Sequence, residues 1–312
     1  MEVSDKKNIT ILVVDDEPEI RELITDFLQE VGGYTVVTAE NGRDALDNVL
    51  AAKPVDLVLS DINMPIMKGF ELLREVKRLY PAIKRVLITA YNVEEYLEMA
   101  MEHDVGNIIV KTVPFNFNEL LAVVNNLVTG DIFGIGKYIE HSKIDKTFKV
   151  IQAAKIYEQA QEIVAALPPI EKAKRIVLVL VELITNAVFY GTLQSSPVEK
   201  ETWDHDALLP DDKAVMVSVA CDDEKYAISI IDQGGHLQKK DILFWLNRQI
   251  SQDSSGAPIG VGDSHGRGFF ITRTFIDRVV VNIDPGKKTE VILINYFSNI
   301  YKGHKPIYIN EL

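Results

Sequence analysis

The sequence is short of the features that mark disulfide-rich, metal-cluster or nucleic-acid-binding proteins. It has one cysteine, Cys221, in 312 residues, which excludes an intrachain disulfide and leaves no metal-binding spacing. Its 33 lysines and arginines stand against 46 aspartates and glutamates, for a formal net charge of -13. Contacts to phosphate backbones need a basic surface, so this charge argues against a general nucleic-acid-binding protein.

Long apolar runs are also lacking. The apolar run at residues 9–14 is too short for a signal-peptide core, and we expect no segment to reach the length of a membrane span. We therefore predict a cytoplasmic protein with no membrane partner. A chain of 312 residues predicts two domains, because single hydrophobic cores usually stop growing before that size.

The first 130 residues alternate between short β-rich runs and amphipathic helical patterns. We predict strands at residues 9–14, 35–37, 57–60, 86–89 and 107–110, and helices at residues 19–30, 42–51, 68–79, 94–102 and 116–128. Strands that are each followed by a helix form a parallel sheet covered on both faces, with function at the carboxyl ends of the strands. The fold class of this region is therefore a doubly wound (βα)5 α/β domain.

Polar groups follow four of these predicted strands, namely Asp15 and Asp16, Asp61, Thr89 and Lys111. Three carboxylates at one sheet edge repel one another unless a cation joins them, and oxygen ligands on short loops suit Mg²⁺. A lysine and a hydroxyl beside that cation would bind a phosphoryl group, with Asp61 as the nucleophile and an acyl phosphate as product. The alternative is that each acidic residue is a helix N-cap.

Residues 8–129 resemble the receiver domain of two-component response regulators. The resemblance rests on Asp15-Asp16-Glu17, Asp61-x-x-Met64-Pro65, Thr89-Ala90 and Lys111. It implies an upstream histidine kinase or small phosphodonor. It also implies a role for each site residue: Asp61 as phosphoacceptor, Asp16 as Mg²⁺ ligand, Asp15 in support, the Asn63 carbonyl near the metal, and Thr89 and Lys111 on the phosphoryl oxygens.

Two positions depart from the receiver pattern. Thr112 and Val113 stand between Lys111 and Pro114, where that family has proline directly after the lysine. Ile108 stands where the resemblance implies an aromatic switch residue. We therefore expect the phosphorylation chemistry to be kept and the usual aromatic readout on the fifth strand to be missing.

Three segments of the second half carry a different pattern. Glu182 and Asn186 are four residues apart, and so share one face of an apolar helix, where a carboxylate is costly without a partner or a function. A predicted strand ends in Asp232-x-Gly234, and Gly266-x-Gly268 opens an amphipathic helix. Glycines at a helix N-terminus leave backbone N–H groups free for phosphate. The alternative is a capped core helix with two tolerated polar residues.

In this order the segments resemble the N, G1 and G2 boxes of the GHKL ATPases, over about residues 150–297. Within these segments, the residues are most similar to those of the anti-sigma-factor serine kinases. The resemblance implies an α/β sandwich that binds ATP. The implied roles are Asn186 as Mg²⁺ ligand, Glu182 as general base, Asp232 as acceptor from the adenine amino group, Gly234 for close approach to the base, and Gly266 and Gly268 at the phosphates. His236 replaces the second glycine of the G1 box.

The join between the two patterns is predicted as a flexible connection at residues 130–149. After it, Val150, Ala153, Tyr157, Ala160, Val164 and Leu167 are spaced to form one helical stripe. The stripe either packs on its own domain, the commoner outcome, or forms a homodimer seam. His141 lacks the acidic neighbour of a histidine-kinase His box, so no phosphotransfer module is predicted. The domains are then 1–129, a linker and dimerisation helix at 130–168, and 169–312.

Two further segments of the second half are predicted to lie outside the regular elements. Residues 192–213 form a polar, acidic insertion after the N-box helix. Residues 251–265, which contain three glycines, are predicted to form a lid over the nucleotide.

These patterns predict a response regulator whose output is an ATP-binding, kinase-like domain. Three hypotheses stay open: a serine/threonine protein kinase, an ATP-dependent binding switch without transfer, and a histidine kinase acting on a separate protein. The resemblance implies an anti-sigma antagonist as the acceptor protein and a sigma factor as a sequestered partner.

Overall fold

The computed structural model describes residues 6, 8–139, 141–194, 204–250, 267–301, 303 and 305–312, without the side chains of 249, 267 and 270. The chain divides into two compact units. Unit 1 comprises Met1–Ile132 and Pro306–Tyr308, and unit 2 comprises Phe133–Lys305 and Ile309–Leu312.

Unit 1 is a five-stranded parallel sheet in the order β2-β1-β3-β4-β5. Strands β1, β3 and β5 are buried along almost their whole length, which is the pattern of a parallel sheet covered on both faces. The predicted (βα)5 fold is confirmed. Its strands are β1 Thr10–Val14, β2 Thr35–Ala39, β3 Leu57–Asp61, β4 Lys84–Thr89 and β5 Asn107–Val110.

The helices of unit 1 follow the predicted order. They are α1 Pro18–Glu30, α2 Gly42–Asp44 with a π-helical continuation Ala45–Leu50, α3 Gly69–Leu79, α4 Leu97–Glu102 after a 3-10 turn Val93–Tyr96, and α5 Phe117–Thr129. In addition, Ile307 and Tyr308 pair antiparallel with Ile108 and Asn107 of β5. The Tyr308 hydroxyl donates to Glu119 Oε1 at 2.7 Å.

Unit 2 is a mixed α/β region. Its strands are β6 Ile144–Val150, β7 Val215–Cys221, β8 Lys225–Asp232, β9 Arg278–Asp284 and β10 Lys288–Tyr296, which form an antiparallel sheet in the order β9-β10-β8-β7-β6. Its helices are α6 Ile156–Ala165, α7 Ala173–Asn186, α8 Lys239–Ile250 and α9 Arg267–Phe275. They pack as a layer in which α6 contacts α7 and α9 contacts both α7 and α8. A further strand, β11 Ile307–Glu311, has Ile307 and Tyr308 in unit 1 and its other residues in unit 2.

The predicted flexible connection is wrong for much of its length, because Ile144–Val150 is strand β6, which pairs with β7. A 3-10 turn, Ile135–Lys137, precedes it and contacts β7 and β8. The Gly134 N–H donates to Glu290 Oε2 at 2.9 Å. This carboxylate is fully buried and also accepts from Ser229 Oγ at 2.6 Å and from Asn282 Nδ2 at 3.0 Å. Residues 133–137 therefore belong to the packed structure of unit 2.

The predicted apolar stripe is only partly helical. Val150 ends strand β6 and Ala153 lies in a 3-10 turn, so the helix begins at Ile156 rather than at residue 150. Ala160 and Val164 of α6 are buried and α6 packs on α7, whereas Tyr157 is 59% exposed. The larger part of the stripe thus packs on its own unit, which was the commoner of the two outcomes considered.

Ala173–Thr192 forms a continuous helical segment of 20 residues, first as α7 and then as a π-helix. Among the described residues it is long and apolar enough to span a membrane, so the expectation that no segment reaches this length is wrong. However, 61% of its most apolar 18-residue stretch is buried within the protein. The core helix of a globular domain can be equally long and apolar.

Candidate functional site

The carboxyl ends of β1, β3 and β5 bring Asp15, Asp61 and Lys111 together in unit 1. The Lys111 ammonium lies 2.7 Å from Asp61 Oδ1 and 2.8 Å from Asp15 Oδ2. Glu17 Oε1 is 3.4 Å from the same nitrogen. Both aspartates are buried, with exposures of 7% for Asp61 and 0% for Asp15. The parallel register explains this convergence, because it puts all the strand ends at one edge of the sheet.

The electrostatics of this cluster are those of acids held in a low-dielectric recess by one cation. Burial raises the pKa of Asp15, and the hydrogen bond and charge of Lys111 only partly counteract it. Burial alone would lower the pKa of Lys111, but its hydrogen bonds to Asp15 and Asp61 outweigh burial, and the pKa is raised. Lys111 therefore stays protonated beside Asp61, where it can pair with phosphoryl oxygens.

Asn63 and Thr89 complete the surroundings of Asp61. The Asn63 main-chain N–H donates to Asp61 Oδ2 at 2.6 Å, and the Asn63 side-chain amide donates to the Tyr96 hydroxyl at 2.7 Å. Thr89 ends β4, is buried, and its Oγ1 accepts from the Tyr91 N–H at 3.0 Å. Asp15, Asp61, Asn63 and Lys111 are thus brought together, Thr89 ends the strand that pairs with β3, and Tyr96 is a neighbour that the sequence did not indicate.

The third acid, Asp16, is exposed, whereas Asp15 and Asp61 both contact Lys111. Within the described part of the chain, no three His, Cys, Asp or Glu side chains are grouped to hold a metal ion. Mg²⁺ usually takes one or two carboxylates, with waters completing its octahedron. The carboxylates of Asp15 and Asp61 fit that requirement, with Asp16 at the same strand end.

Gly69 is a site residue that sequence reasoning missed. A Cβ at this position would lie 2.1 Å from the Asp61 carbonyl oxygen, and the Gly69 N–H donates to the Ile62 carbonyl at 3.0 Å. Only glycine lets the start of α3 approach strand β3 so closely. A glycine four residues after Met-Pro was the available signal, but its role depends on a tertiary contact.

In unit 2 the structure brings Glu182, Asn186 and Gly268 together. The two polar side chains are half-buried on one face of α7. A Cβ on Gly268 would lie 3.1 Å from Asn186 Nδ2 and 4.0 Å from Glu182 Cβ. The first turn of α9 is therefore seated on the N-box face, where its main chain and the two polar groups border one space.

Asp232 and two glycines form the other half of this site. The end of α7 continues as a π-helix, Ala187–Thr192, a geometry often found at functional sites. A Cβ on Gly191 would lie 2.5 Å from Asp232 Cγ, and a Cβ on Gly234 would lie 1.9 Å from the Gly191 carbonyl oxygen. The two segments thus touch through glycines, and Gly191 is a second residue whose role the sequence did not show.

The Asp232 carboxyl is held by main-chain donors. Its Oδ1 accepts from the N–H of Gly234 at 2.9 Å and of Gly235 at 3.2 Å. Burial raises its pKa, and these two bonds and the Thr289 hydroxyl only partly counteract the shift. Thr289 stands opposite Asp232 in the β10–β8 register. A buried acceptor with one face fixed by backbone donors suits recognition of an amino group on a ligand.

His236, in place of the expected second glycine, is exposed, and its ring contacts the Gln194 side-chain amide. Its Cδ2 lies 2.8 Å from the place of a Cβ on Gly234. The ring therefore borders the Asp232 recess from the solvent side.

Some predicted site residues fall outside the description. Gly266 and the lid at residues 251–265 lie outside the described residues, as do residues 195–203 of the insertion. Of the G2 box, Gly268 is the described glycine, and it borders Asn186.

Comparison with known proteins assigns each half of the chain to a family. Residues 11–125 match the response regulator receiver domain, and residues 147–294 match the histidine kinase-like ATPase domain. The chain is similar to the sensor histidine kinase RcsC of Escherichia coli K12, with 39% identity over 111 residues. That match covers 36% of this chain and 12% of RcsC, so the chain spans only a small part of that relative.

Two further relatives match over a similar share of this chain. A protein-glutamate methylesterase/protein-glutamine glutaminase of Desulfotalea psychrophila is 42% identical over 84 residues, covering 27% of this chain and 23% of that protein. The crystal structure of the response regulator TrrA from Thermotoga maritima, in complex with Mg²⁺ and BeF, is 41% identical. The match covers 38% of this chain and 98% of the TrrA chain, with a TM-score of 0.34. By its two family matches, the chain joins a response regulator receiver domain to a histidine kinase-like ATPase domain.

Proposed function

We propose that this protein is a cytoplasmic response regulator whose phosphorylation on Asp61 controls an ATP-dependent serine/threonine protein kinase. The observation that carries the kinase assignment is the position of Glu182 and Asn186 beside Gly268, on the helix that leads to the Asp232 recess. An acid, a metal-binding amide and a helix N-terminus then border one space, as phosphoryl transfer from ATP requires.

In unit 1, Asp61 acts as the nucleophile. One carboxylate oxygen bonds to the phosphorus of the donor, the donor's own bond to phosphorus breaks, and the donor leaves with that electron pair. Lys111 and Thr89 hold the phosphoryl oxygens, while Asp15, Asp16, Asp61 and the Asn63 carbonyl provide the Mg²⁺ ligands. When bound there, Mg²⁺ would supply positive charge against the charge that builds on those oxygens. A histidine kinase or a small acyl phosphate serves as the donor.

In unit 2, Asp232 accepts from the adenine amino group, and Gly191 and Gly234 leave room for the base. Asn186 would hold the Mg²⁺ that accompanies the triphosphate, and Gly266 and Gly268 would bind the phosphates through their main-chain N–H groups. Glu182 takes the proton of a serine or threonine hydroxyl as its oxygen bonds to the γ-phosphorus, and ADP leaves with the electron pair of the broken bond.

The partners follow from the likeness of the three boxes to the anti-sigma-factor serine kinases. The acceptor is then a serine or threonine of an anti-sigma antagonist protein, and a sigma factor is the sequestered partner. A homodimer would use the exposed Tyr157 side of α6, since the remainder of that helix packs within unit 2.

Transfer of labelled γ-phosphate from ATP separates the three hypotheses. The full chain is incubated with Mg²⁺-ATP and candidate partner proteins, and the label on each partner is tested in acid and in alkali. Acid-stable label on a partner supports the serine/threonine kinase, whereas acid-labile label indicates a histidine acceptor. Tight ATP binding with no label on any partner favours the binding switch and overturns the kinase proposal.

A further inference from the structure

Ile108 stands where the resemblance to response regulators implies an aromatic switch residue, so we expected no aromatic readout on the fifth strand. Ile108 of β5 is fully buried and stands opposite Leu87 of β4 and Ile307, so it is part of the apolar core. A phosphorylation signal at Asp61 therefore needs another side chain to sense it.

Tyr96 is joined to Asp61 through a single residue, Asn63. The main-chain N–H of Asn63 donates to Asp61 Oδ2 at 2.6 Å, and its side-chain amide donates to the Tyr96 hydroxyl at 2.7 Å. One residue thus holds the phosphoacceptor with its backbone and an aromatic hydroxyl with its side chain. Any shift of the Asn63 backbone changes the bond to Tyr96.

A second contact links Tyr96 to the same strand end. The Tyr96 ring lies 6.1 Å from the ring of Phe70, and the His103 ring lies 5.8 Å from the same ring. Phe70 is 1% exposed and follows Gly69, which closely approaches the Asp61 carbonyl. Tyr96 immediately precedes α4 and His103 immediately follows it. The residues that flank α4 at its two ends therefore both contact the buried Phe70 ring, which lies next to Gly69 and close to Asp61.

We propose that Tyr96 positions Asn63 at the phosphoacceptor and transmits the state of Asp61 to helix α4. This inference rests on the proposed phosphorylation of Asp61. Phosphorylation turns the Asp61 carboxylate into an acyl phosphate, so that carboxylate loses its charge while negatively charged phosphoryl oxygens are added farther out, and the Asn63 N–H turns to a new acceptor. The hydrogen bond from the Asn63 side-chain amide to the Tyr96 hydroxyl then breaks, and the packing of α4 against Phe70 changes.

The first test observes Tyr96 directly. The full chain carries 3-fluorotyrosine at position 96, and its ¹⁹F resonance is followed during phosphorylation by acetyl phosphate with Mg²⁺. A matched sample carries the probe at Tyr80, the residue that caps the far end of α3. We expect the resonance at 96 to move with the phosphorylated fraction, that at 80 to stay, and neither to move in Asp61→Asn.

The second test measures the lifetime of the acyl phosphate in Tyr96→Phe, which removes the hydroxyl and keeps the ring on Phe70. Loss of one hydrogen bond that holds Asn63 should change the dephosphorylation rate by about 3–10-fold. In an Asn63→Ala background, which keeps the main-chain N–H, Tyr96→Phe should have no further effect, because the bond is already absent. Tyr80→Phe is the matched control and should match the parent chain.

Intact mass separates failure of this inference from failure of the proposed function. If Asp61 gains a phosphoryl group while the resonance at 96 stays fixed and Tyr96→Phe keeps the parental lifetime, the role of Tyr96 is overturned and phosphorylation stands. Equal effects of Tyr96→Phe with and without Asn63 would overturn the route through Asn63. No mass gain on Asp61 would overturn the proposed function itself.

Discussion

The two units each bury an acid at their site, but they stabilise it differently. In unit 1, Asp15 and Asp61 share the Lys111 ammonium within 2.8 Å. In unit 2, Asp232 has the main-chain N–H groups of Gly234 and Gly235 as its donors. Burial is the largest cause of the raised pKa at both Asp15 and Asp232.

This difference matches what each site would handle under the proposed function. A phosphoryl group brings negative charge, and the receiver site already holds a cation, Lys111, that would meet it. An adenine ring is neutral, and a site for it would depend on space and on one fixed acceptor. Gly191 and Gly234 provide that space, because a Cβ at either would meet atoms within 2.5 Å. The site in unit 1 thus depends mainly on charge, and the site in unit 2 depends mainly on steric fit.

The largest expected effect is the loss of phosphorylation in Asp61→Asn. The amide cannot act as the nucleophile, so intact mass should show no phosphoryl addition with acetyl phosphate and Mg²⁺. The exposed Asp47→Asn is the matched control and should gain one phosphoryl group. A mass gain of the same size in Asp61→Asn would refute the assignment.

Glu182→Gln should lower the rate of transfer to the partner protein by about 10²–10⁴-fold, because the general base is lost. The affinity for Mg²⁺-ATP should stay close to that of the parent, since the base contributes little to ground-state binding. Calorimetry gives the affinity and labelled ATP the rate, with the exposed Glu158→Gln as control. A parental rate in Glu182→Gln would remove its assigned role.

Lys111→Met tests the charge-based site through stability. Two buried carboxylates would lose their cation, which should cost about 3 kcal/mol of unfolding free energy at pH 7. The pKa of Asp15 is already raised, so the Asp15 carboxyl takes up a proton more readily in the folded protein than in the unfolded protein. The loss of unfolding free energy in Lys111→Met should therefore shrink as pH falls toward about 4.

Urea unfolding followed by far-UV circular dichroism measures this loss. Tryptophan fluorescence is an internal control, since Trp203 and Trp245 both belong to unit 2 and their transition should not move. A deficit that persisted unchanged at acid pH would contradict the electrostatic explanation.

Gly191→Ala tests the site based on space. The added methyl group meets the Asp232 carboxyl, and such overpacking costs about 1–3 kcal/mol. If the whole cost falls on nucleotide binding, the affinity for ATP should drop by about 5–150-fold. Gly136→Ala is the matched control, because a Cβ there meets nothing within 4 Å. Equal affinities of the two variants by calorimetry would show that the contact does not shape the pocket.

The smallest expected effect is a gain in stability for Asp232→Asn. Burial raises the pKa of Asp232, so its ionised form destabilises the folded state at pH 7, and the amide removes that cost while keeping an acceptor for Gly234. Each kcal/mol gained should raise the melting temperature of unit 2 by about 2–4 °C. The gain, read by tryptophan fluorescence, should vanish near pH 4, and ATP and ADP should both bind more weakly.

Much of unit 1 could be predicted because its signals are local. Predicted and observed strands agree within two residues at each end, since a parallel strand buried on both faces is a short continuous apolar run. The site residues followed from the rule that parallel strands end at one edge. Asp16 shows the limit, because it is adjacent to Asp15 in sequence and yet exposed.

Unit 2 was predicted less completely because its contacts are distant in sequence. The segment before residue 150 was read as a connection, but it is an edge strand whose exposed residues alternate too weakly to be recognised. Its place depends on pairing with β7, some 70 residues later, and on the Gly134 bond to Glu290. No local pattern carries such information.

The sequence by itself determined the two fold patterns, the alternation of strands and helices in unit 1 and the residue types of both sites, because periodicity and motif spacing are written along the chain. Only the tertiary structure decided that Lys111 lies between Asp15 and Asp61, that Gly191 touches Asp232, and that Asn63 joins Tyr96 to the phosphoacceptor. Each of these contacts joins residues about 30 or more positions apart, and packing of whole elements, rather than local preference, fixes such distances.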